Sequence, residues 1–189
     1  MADLVILGLS GSLRRDSYNT RLLRAAAREL PPGVELRLYD GLREVPPYDE
    51  DDDHEAPPAA VTRLRQELSE ADGLLIATPE YSHSIPGQLK NALDWAARPA
   101  GASALRFLPA AVVGASTGAF GAVWAQAEMR KVLAAAGARV VDGEVALGHA
   151  QERFDQDGAL IDEEAREQLH EVVELLVDSI RARSTTAVG

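Results

Sequence analysis

The sequence predicts an α/β chain folded around one doubly wound, five-stranded parallel sheet in the order 2-1-3-4-5, with helices on both faces. Short apolar runs alternate with longer amphipathic stretches along all 189 residues. The resulting order βαβαβαβαβα implies parallel strands joined by helical crossovers. No repeat, low-complexity linker or composition break divides the chain. Residues 1–183 are therefore expected to form one domain and 184–189 a frayed tail.

Leu4 to Ser10 is a continuous β-rich run, as a strand buried on both faces should be. Ser17 to Leu30 reads as a helix with Leu22, Leu23, Ala26 and Leu30 on one stripe, stopped by Pro31-Pro32-Gly33. Val34 to Tyr39 is the second strand. Pro57 to Ala71 groups Val61, Leu64 and Leu68 and ends at Asp72-Gly73, and Leu74 to Thr78 is the third strand. Pro86 to Arg98 carries its proline in the first turn, where a missing N–H is harmless. Ala110 to Ala115 supplies the fourth strand, and Phe120 to Ala136 ends at Gly137, a suitable C-cap. Arg139 to Val141 is the fifth strand. Ile161 to Arg181 closes the chain with Ala165, Leu169, Val172, Val173, Leu176 and Ile180 on one face. This arrangement is the flavodoxin-like one.

Composition narrows the chemistry. With 46% hydrophobic residues, a chain of this length buries roughly 70% of its unfolded surface and needs no disulfide or metal staple. Cysteine is absent, which removes thiol nucleophiles, redox CxxC pairs, iron–sulfur clusters and thiolate zinc sites. Redox chemistry would need a borrowed cofactor. A net charge of -11 disfavours nucleic acid and anionic lipid as partners. Met1-Ala2-Asp3-Leu4 lacks a basic signal region, and no apolar run approaches the ~20 residues of a membrane span. A soluble, cytoplasmic chain is expected. The acidic run Asp49 to Glu55 lacks calcium-loop spacing, the histidines show no metal-ligand spacing, and no Gly-x-Ser-x-Gly elbow is present. Metal binding and serine hydrolysis are disfavoured.

Ligands of a doubly wound sheet bind at the carboxyl ends of its strands, near the switch point between strands 1 and 3. Three loops leave that edge. The first, Ser10-Gly11-Ser12-Leu13-Arg14-Arg15-Asp16-Ser17-Tyr18-Asn19, combines small hydroxyl residues, arginines and a helix N-terminus. It reads either as a phosphate cradle or as an ordinary loop capped by Ser17. The second, Thr78-Pro79-Glu80-Tyr81-Ser82-His83-Ser84-Ile85-Pro86-Gly87, is stiffened by prolines. It suits stacking beside a planar ring, or is a structural turn with Tyr81 packed on a neighbour. The third, Ala115-Ser116-Thr117-Gly118-Ala119-Phe120-Gly121, permits close approach of a ligand edge, although such turns are common.

Gly11-Ser12-Leu13-Arg14 with Ser17-Tyr18-Asn19, then Pro79-Glu80-Tyr81, Ser84-Ile85-Pro86-Gly87 and Leu89-Lys90-Asn91-Ala92-Leu93-Asp94-Trp95, resemble the NADPH-dependent FMN reductase family. That family includes bacterial quinone, chromate and azo-dye reductases. The resemblance spans residues 4 to 135 or so. It implies non-covalent FMN, with NADPH or NADH as electron donor. Ser12, Arg14, Ser17, Tyr18 and Asn19 would hold the FMN phosphate. Pro79, Glu80, Tyr81 and Ser82 would line the ring, and Ser116, Thr117 and Gly118 would flank its other side. Ser10 and Thr78 end the strands that feed these loops and complete the expected set.

No side chain is assigned as catalytic, because hydride would pass through flavin N5. Tyr81 and His83 are candidates to assist a quinone oxygen. The implied activity is two-electron reduction of quinone-like acceptors by NAD(P)H, with ping-pong kinetics. The alternatives are supply of reduced flavin to a partner monooxygenase and a flavodoxin-like electron carrier. Such proteins are usually homodimers or homotetramers with the flavin near the boundary, where Leu89, Leu93 and Trp95 are expected to contribute. Two positions depart from the pattern. Ser82 stands where many relatives carry Asn, and Arg15 follows Arg14, so that either can meet the phosphate.

Overall fold

The computed structural model describes residues 4–186, with side chains to residue 183. The strands are β1 (Leu4–Ser10), β2 (Val34–Tyr39), β3 (Gly73–Thr78), β4 (Pro109–Ala115), β5 (Arg139–Val140) and β6 (Ala146–Leu147). The helices are α1 (Tyr18–Ala26), α2 (Ala59–Ser69), α3 (Gly87–Ala96), α4 (Val123–Ala135) and α5 (Glu163–Thr186). All pairings are parallel, in the order β2-β1-β3-β4-β5, with β6 also on β4. The expected topology is present, with one difference. The fifth position is shared by two short strands, because β5 pairs only with Pro109 and Ala110 while β6 pairs with Gly114 and Ala115.

Period-2 alternation sorts the sheet into two cores. Leu7, Leu9, Leu74, Ile76, Ala110 and Val112 pack under α2, α3 and α4. Ile6, Leu75, Ala77, Ala111, Val113 and Ala115 pack under α1 and α5. The central strands β3 and β4 are buried along their whole length. β2 lies at the sheet edge and places Glu35 and Arg37 among its apolar residues, which guards that edge against pairing with another chain. No helix among the described residues is long and apolar enough to cross a membrane.

Several boundaries differ from the sequence pattern. α1 stops at Ala26 instead of Leu30, and Arg28 and Glu29 close tight three-residue turns onto Ala25 and Ala26. Proline disfavours helix in the residue before it, so the chain leaves the helix ahead of Pro31. α4 begins at Val123 because Gly121 and Ala122 are left-handed, with φ 57° and 62°. α5 continues to Thr186, past residue 183, and 187–189 lie outside the described residues. Leu89, Leu93 and Trp95 are at most 2% exposed, and the Trp95 indole N–H donates to the Pro46 carbonyl at 2.9 Å. They form core beneath the sheet, and the expectation that they contribute to a subunit contact is corrected.

Candidate active site

The register places Ser10 beside Ala77 and Thr78 beside Gly114, so the carboxyl ends of β1, β3 and β4 lie side by side. Their loops therefore leave the sheet together. The Gly11 N–H ties the first loop to the Ala77 carbonyl at 2.8 Å.

The first loop is shaped by its own hydroxyls. Ser10 Oγ accepts from the Ser12 N–H and from the Thr20 hydroxyl, and Ser12 Oγ accepts from the Arg14 N–H. Ser17 has extended backbone angles and its Oγ accepts from the Thr20 N–H at 3.3 Å, making it the N-cap of α1. The first turn of α1 itself holds no acidic residue to offset the partial positive charge of the helix start. Asn19 is 3% exposed and its side chain is committed elsewhere. Its amide donates to the Ala115 carbonyl and accepts from the Ala115 N–H, both at 2.9 Å, locking α1 to the end of β4.

In the second loop, Thr78 is fully buried and its hydroxyl donates to the Pro79 carbonyl at 2.8 Å. Tyr81 and Ser84 exchange two backbone hydrogen bonds of 3.0 Å around Ser82 and His83, whose φ values are 52° and 59°. This is a tight turn with both central residues left-handed, a conformation that favours Gly or Asn. The loop is braced to α4 by two carboxylates. Glu80 accepts from the Trp124 and Ala125 N–H groups at 3.1 and 3.2 Å, and so caps a helix whose own N-cap, Ala122, has no capping side chain. Glu128 accepts from the Ser84 hydroxyl at 2.7 Å. The His83 ring lies edge-on to Trp124, with the side chain 77% exposed.

The third loop is clamped by β6 and the segment after it. Ser116 N–H donates to the Leu147 carbonyl, His149 N–H to the Gly118 carbonyl and Ala150 N–H to the Ser116 carbonyl, each at 3.0 Å. A Cβ at Gly121 would meet the Ala146 carbonyl carbon at 2.1 Å, so only glycine lets this turn pass β6.

A cleft opens where the loops converge, lined by Ser12, Arg14, Ser17, Tyr18, Asn19, Pro79, Glu80, Tyr81, Ala115, Ser116 and Thr117. Most of the expected site residues meet here. Ser10, Thr78, Ser82 and Gly118 lie outside the lining, and the first two act on loop shape. Arg14 lines the cleft and Arg15 does not. The donor set consists of hydroxyls, a guanidinium and the N-terminus of a helix, while the one carboxylate on the wall, Glu80, is engaged by α4. Such a set suits a phosphate. The cleft measures about 120 Å³, less than the ~300 Å³ of a typical ligand pocket. The Glu80 and Glu128 braces and the clamp at 146–150 have no short-range signature in the sequence, since each joins residues distant along the chain.

Residues 4–152 match the model of a family described as NADPH-dependent FMN reductase. An NAD(P)H-dependent FMN reductase of Pseudomonas aeruginosa is 42% identical over 92% of this chain and 94% of its own length. A 2-hydroxy-1,4-benzoquinone reductase of a Burkholderia species is 38% identical over 95% of this chain and 98% of its own. Among solved structures, the flavoenzyme NAD(P)H:(acceptor) oxidoreductase FerB of Paracoccus denitrificans superposes with a TM-score of 0.82. It is 34% identical, with 95% of this chain and 98% of that one covered.

Proposed function

The chain belongs to the NADPH-dependent FMN reductase family, and from that premise we propose that it is an FMN-dependent NAD(P)H:acceptor oxidoreductase that reduces quinones two electrons at a time. The observation that carries this reading is the groove itself, a donor-rich site at the sheet edge whose single wall carboxylate is tied to α4.

Arg14, Ser12, Ser17 and the first N–H groups of α1, at Tyr18 and Asn19, hold the FMN phosphate. The Asn19 side chain serves indirectly by fixing α1 against Ala115. Pro79, Glu80 and Tyr81, next to Ser82, would line one side of the ring, and Ser116 and Thr117, next to Gly118, would flank the other. Bound FMN supplies reversible two-electron hydride chemistry at N5. With flavin bound, the N–H groups of these braced loops would be available to stabilise negative charge on the reduced ring without a cationic side chain. Donor and acceptor use the same open face by turns, which gives ping-pong kinetics. Tyr81, half exposed at that face, steers the acceptor. Exposed Phe120 and Trp124 nearby support assembly as a homodimer or homotetramer.

The test is FMN affinity of the apoprotein, read by quenching of flavin fluorescence. Arg14→Gln is expected to weaken binding about tenfold or more through loss of a charge-assisted contact, and Ser17→Ala by several-fold. Arg15→Gln should stay within about twofold. A larger effect at Arg15 than at Arg14 would place the phosphate elsewhere.

A further inference from the structure

Tyr81 lines both the groove and a neighbouring cavity of about 370 Å³, and it is half exposed. What holds it there is a turn that its own residues do not favour. We propose that Glu128, on the second turn of α4 and outside the groove lining, is a positioning residue for the acceptor. Through Ser84 it keeps the turn 81–84 in the conformation that sets Tyr81 at the open face. The inference rests on the oxidoreductase reading above, in which Tyr81 steers the acceptor.

The turn is poorly encoded by its local sequence. Tyr81 and Ser84 exchange their backbone hydrogen bonds across Ser82 and His83, and both central residues have positive φ. Two-residue turns of this hand are favoured by Asn-Gly and Asp-Gly, because a Cβ crowds the backbone in the left-handed region. With Ser-His at the centre, the strained conformation persists where contacts from outside the turn impose it. Its two internal hydrogen bonds close the turn but tie it to nothing else.

The outside contacts come from α4 and reach the turn at both ends. Before Tyr81, the Glu80 carboxylate accepts from the Trp124 and Ala125 N–H groups. After it, a single Glu128 oxygen, Oε2, accepts from the Ser84 hydroxyl at 2.7 Å and from the Ile85 N–H at 3.4 Å. Residues 124 and 128 lie one helical turn apart on the same face of α4, so entrance and exit are gripped by one rigid element. The ionised acceptor makes the exit contact stronger than a neutral hydrogen bond. Ile85 and Pro86 are buried just beyond it, so the strain is not released along the chain. The His83 ring, edge-on to Trp124, adds a contact at the tip. Glu80 alone leaves 82–84 unheld, and Glu128 supplies the missing restraint.

The test compares Glu128→Ala and Glu128→Gln in FMN-loaded protein with 1,4-benzoquinone as acceptor. Glu128→Ala is expected to raise the KM for the quinone about fivefold, with kcat and FMN affinity within about twofold of wild type. Glu128→Gln, which keeps an acceptor oxygen, should lie nearer the wild type. The decisive comparison repeats Glu128→Ala in a background carrying Ser82→Asn and His83→Gly, a pair that favours the turn by itself. There its effect on KM should shrink below about twofold. Amide hydrogen exchange of the apoprotein gives a readout independent of turnover. The Tyr81 and Ser84 N–H groups should exchange about fivefold faster in Glu128→Ala, and this difference should vanish in the same background. An unchanged KM in Glu128→Ala, a parallel loss of FMN affinity, or an equal KM effect in both backgrounds would each overturn the assignment. Faster exchange at these two amides in a protein that reduces no quinone supports the hold on the turn and contradicts the oxidoreductase reading instead.

Discussion

Glu80 shows how one side chain couples the site to its scaffold. Its carboxylate reaches across from the second loop and accepts two N–H groups at the start of α4, where charge and helix dipole reinforce each other. Glu80→Gln should cost about 1 kcal/mol and Glu80→Ala about 2 kcal/mol, read by urea unfolding of the apoprotein. An unchanged midpoint in both variants would mean that the brace contributes nothing. At this scale the sequence was legible where the chemistry is local. The Ser17 cap and the donor-rich first loop could be read from neighbouring residues. The motif points Asn19 at the ligand, whereas its side chain bonds Ala115, 96 positions away, and no local pattern encodes that pairing. Arg14 and Arg15 were indistinguishable in sequence, and the turn of the loop is what sets Arg14 on the groove.

Among the elements, strand identity followed from apolar runs long enough to be buried on both faces, as in β1, β3 and β4. The split of the fifth position was not legible. β6 is only two residues long, and its place is fixed by pairing with β4 and not by its own composition. Likewise Leu89, Leu93 and Trp95 carry apolar character that suits a core or a subunit contact equally, and burial under the sheet decides for core. The end of β2 yields a pH prediction. Burial pushes the Tyr39 phenol from 10.0 up to about 12, against the opposing pull of the Arg63 cation over its ring. Below pH 10 both folded and unfolded phenols are neutral. Between pH 10 and 12 the unfolded phenol ionises first, so stability falls across that window. The Tyr39 hydroxyl has no hydrogen-bond partner, so Tyr39→Phe should gain about 1 kcal/mol at neutral pH. Its denaturation midpoint should also fall less between pH 10 and 12. Parallel alkaline profiles for the two proteins would contradict this account.

The whole molecule reconciles an acidic chain with an anionic cofactor and an anionic donor. Its net charge of -11 repels phosphates, and the start of α1 together with Arg14 opposes that field locally at the sheet edge. The same edge gathers the three loops that the strand order brings together, which explains why the fold and the meeting of these loops are both legible in the sequence. Long-range braces then give those loops the rigidity that composition alone does not reveal. The most direct measurement is an absorbance spectrum of protein reconstituted with FMN, desalted and mixed with NADPH without oxygen. The account predicts retained flavin bands near ~370 and ~450 nm that NADPH bleaches and a quinone restores. Flavin lost on desalting, or retained flavin that neither NADPH nor NADH bleaches, would contradict it.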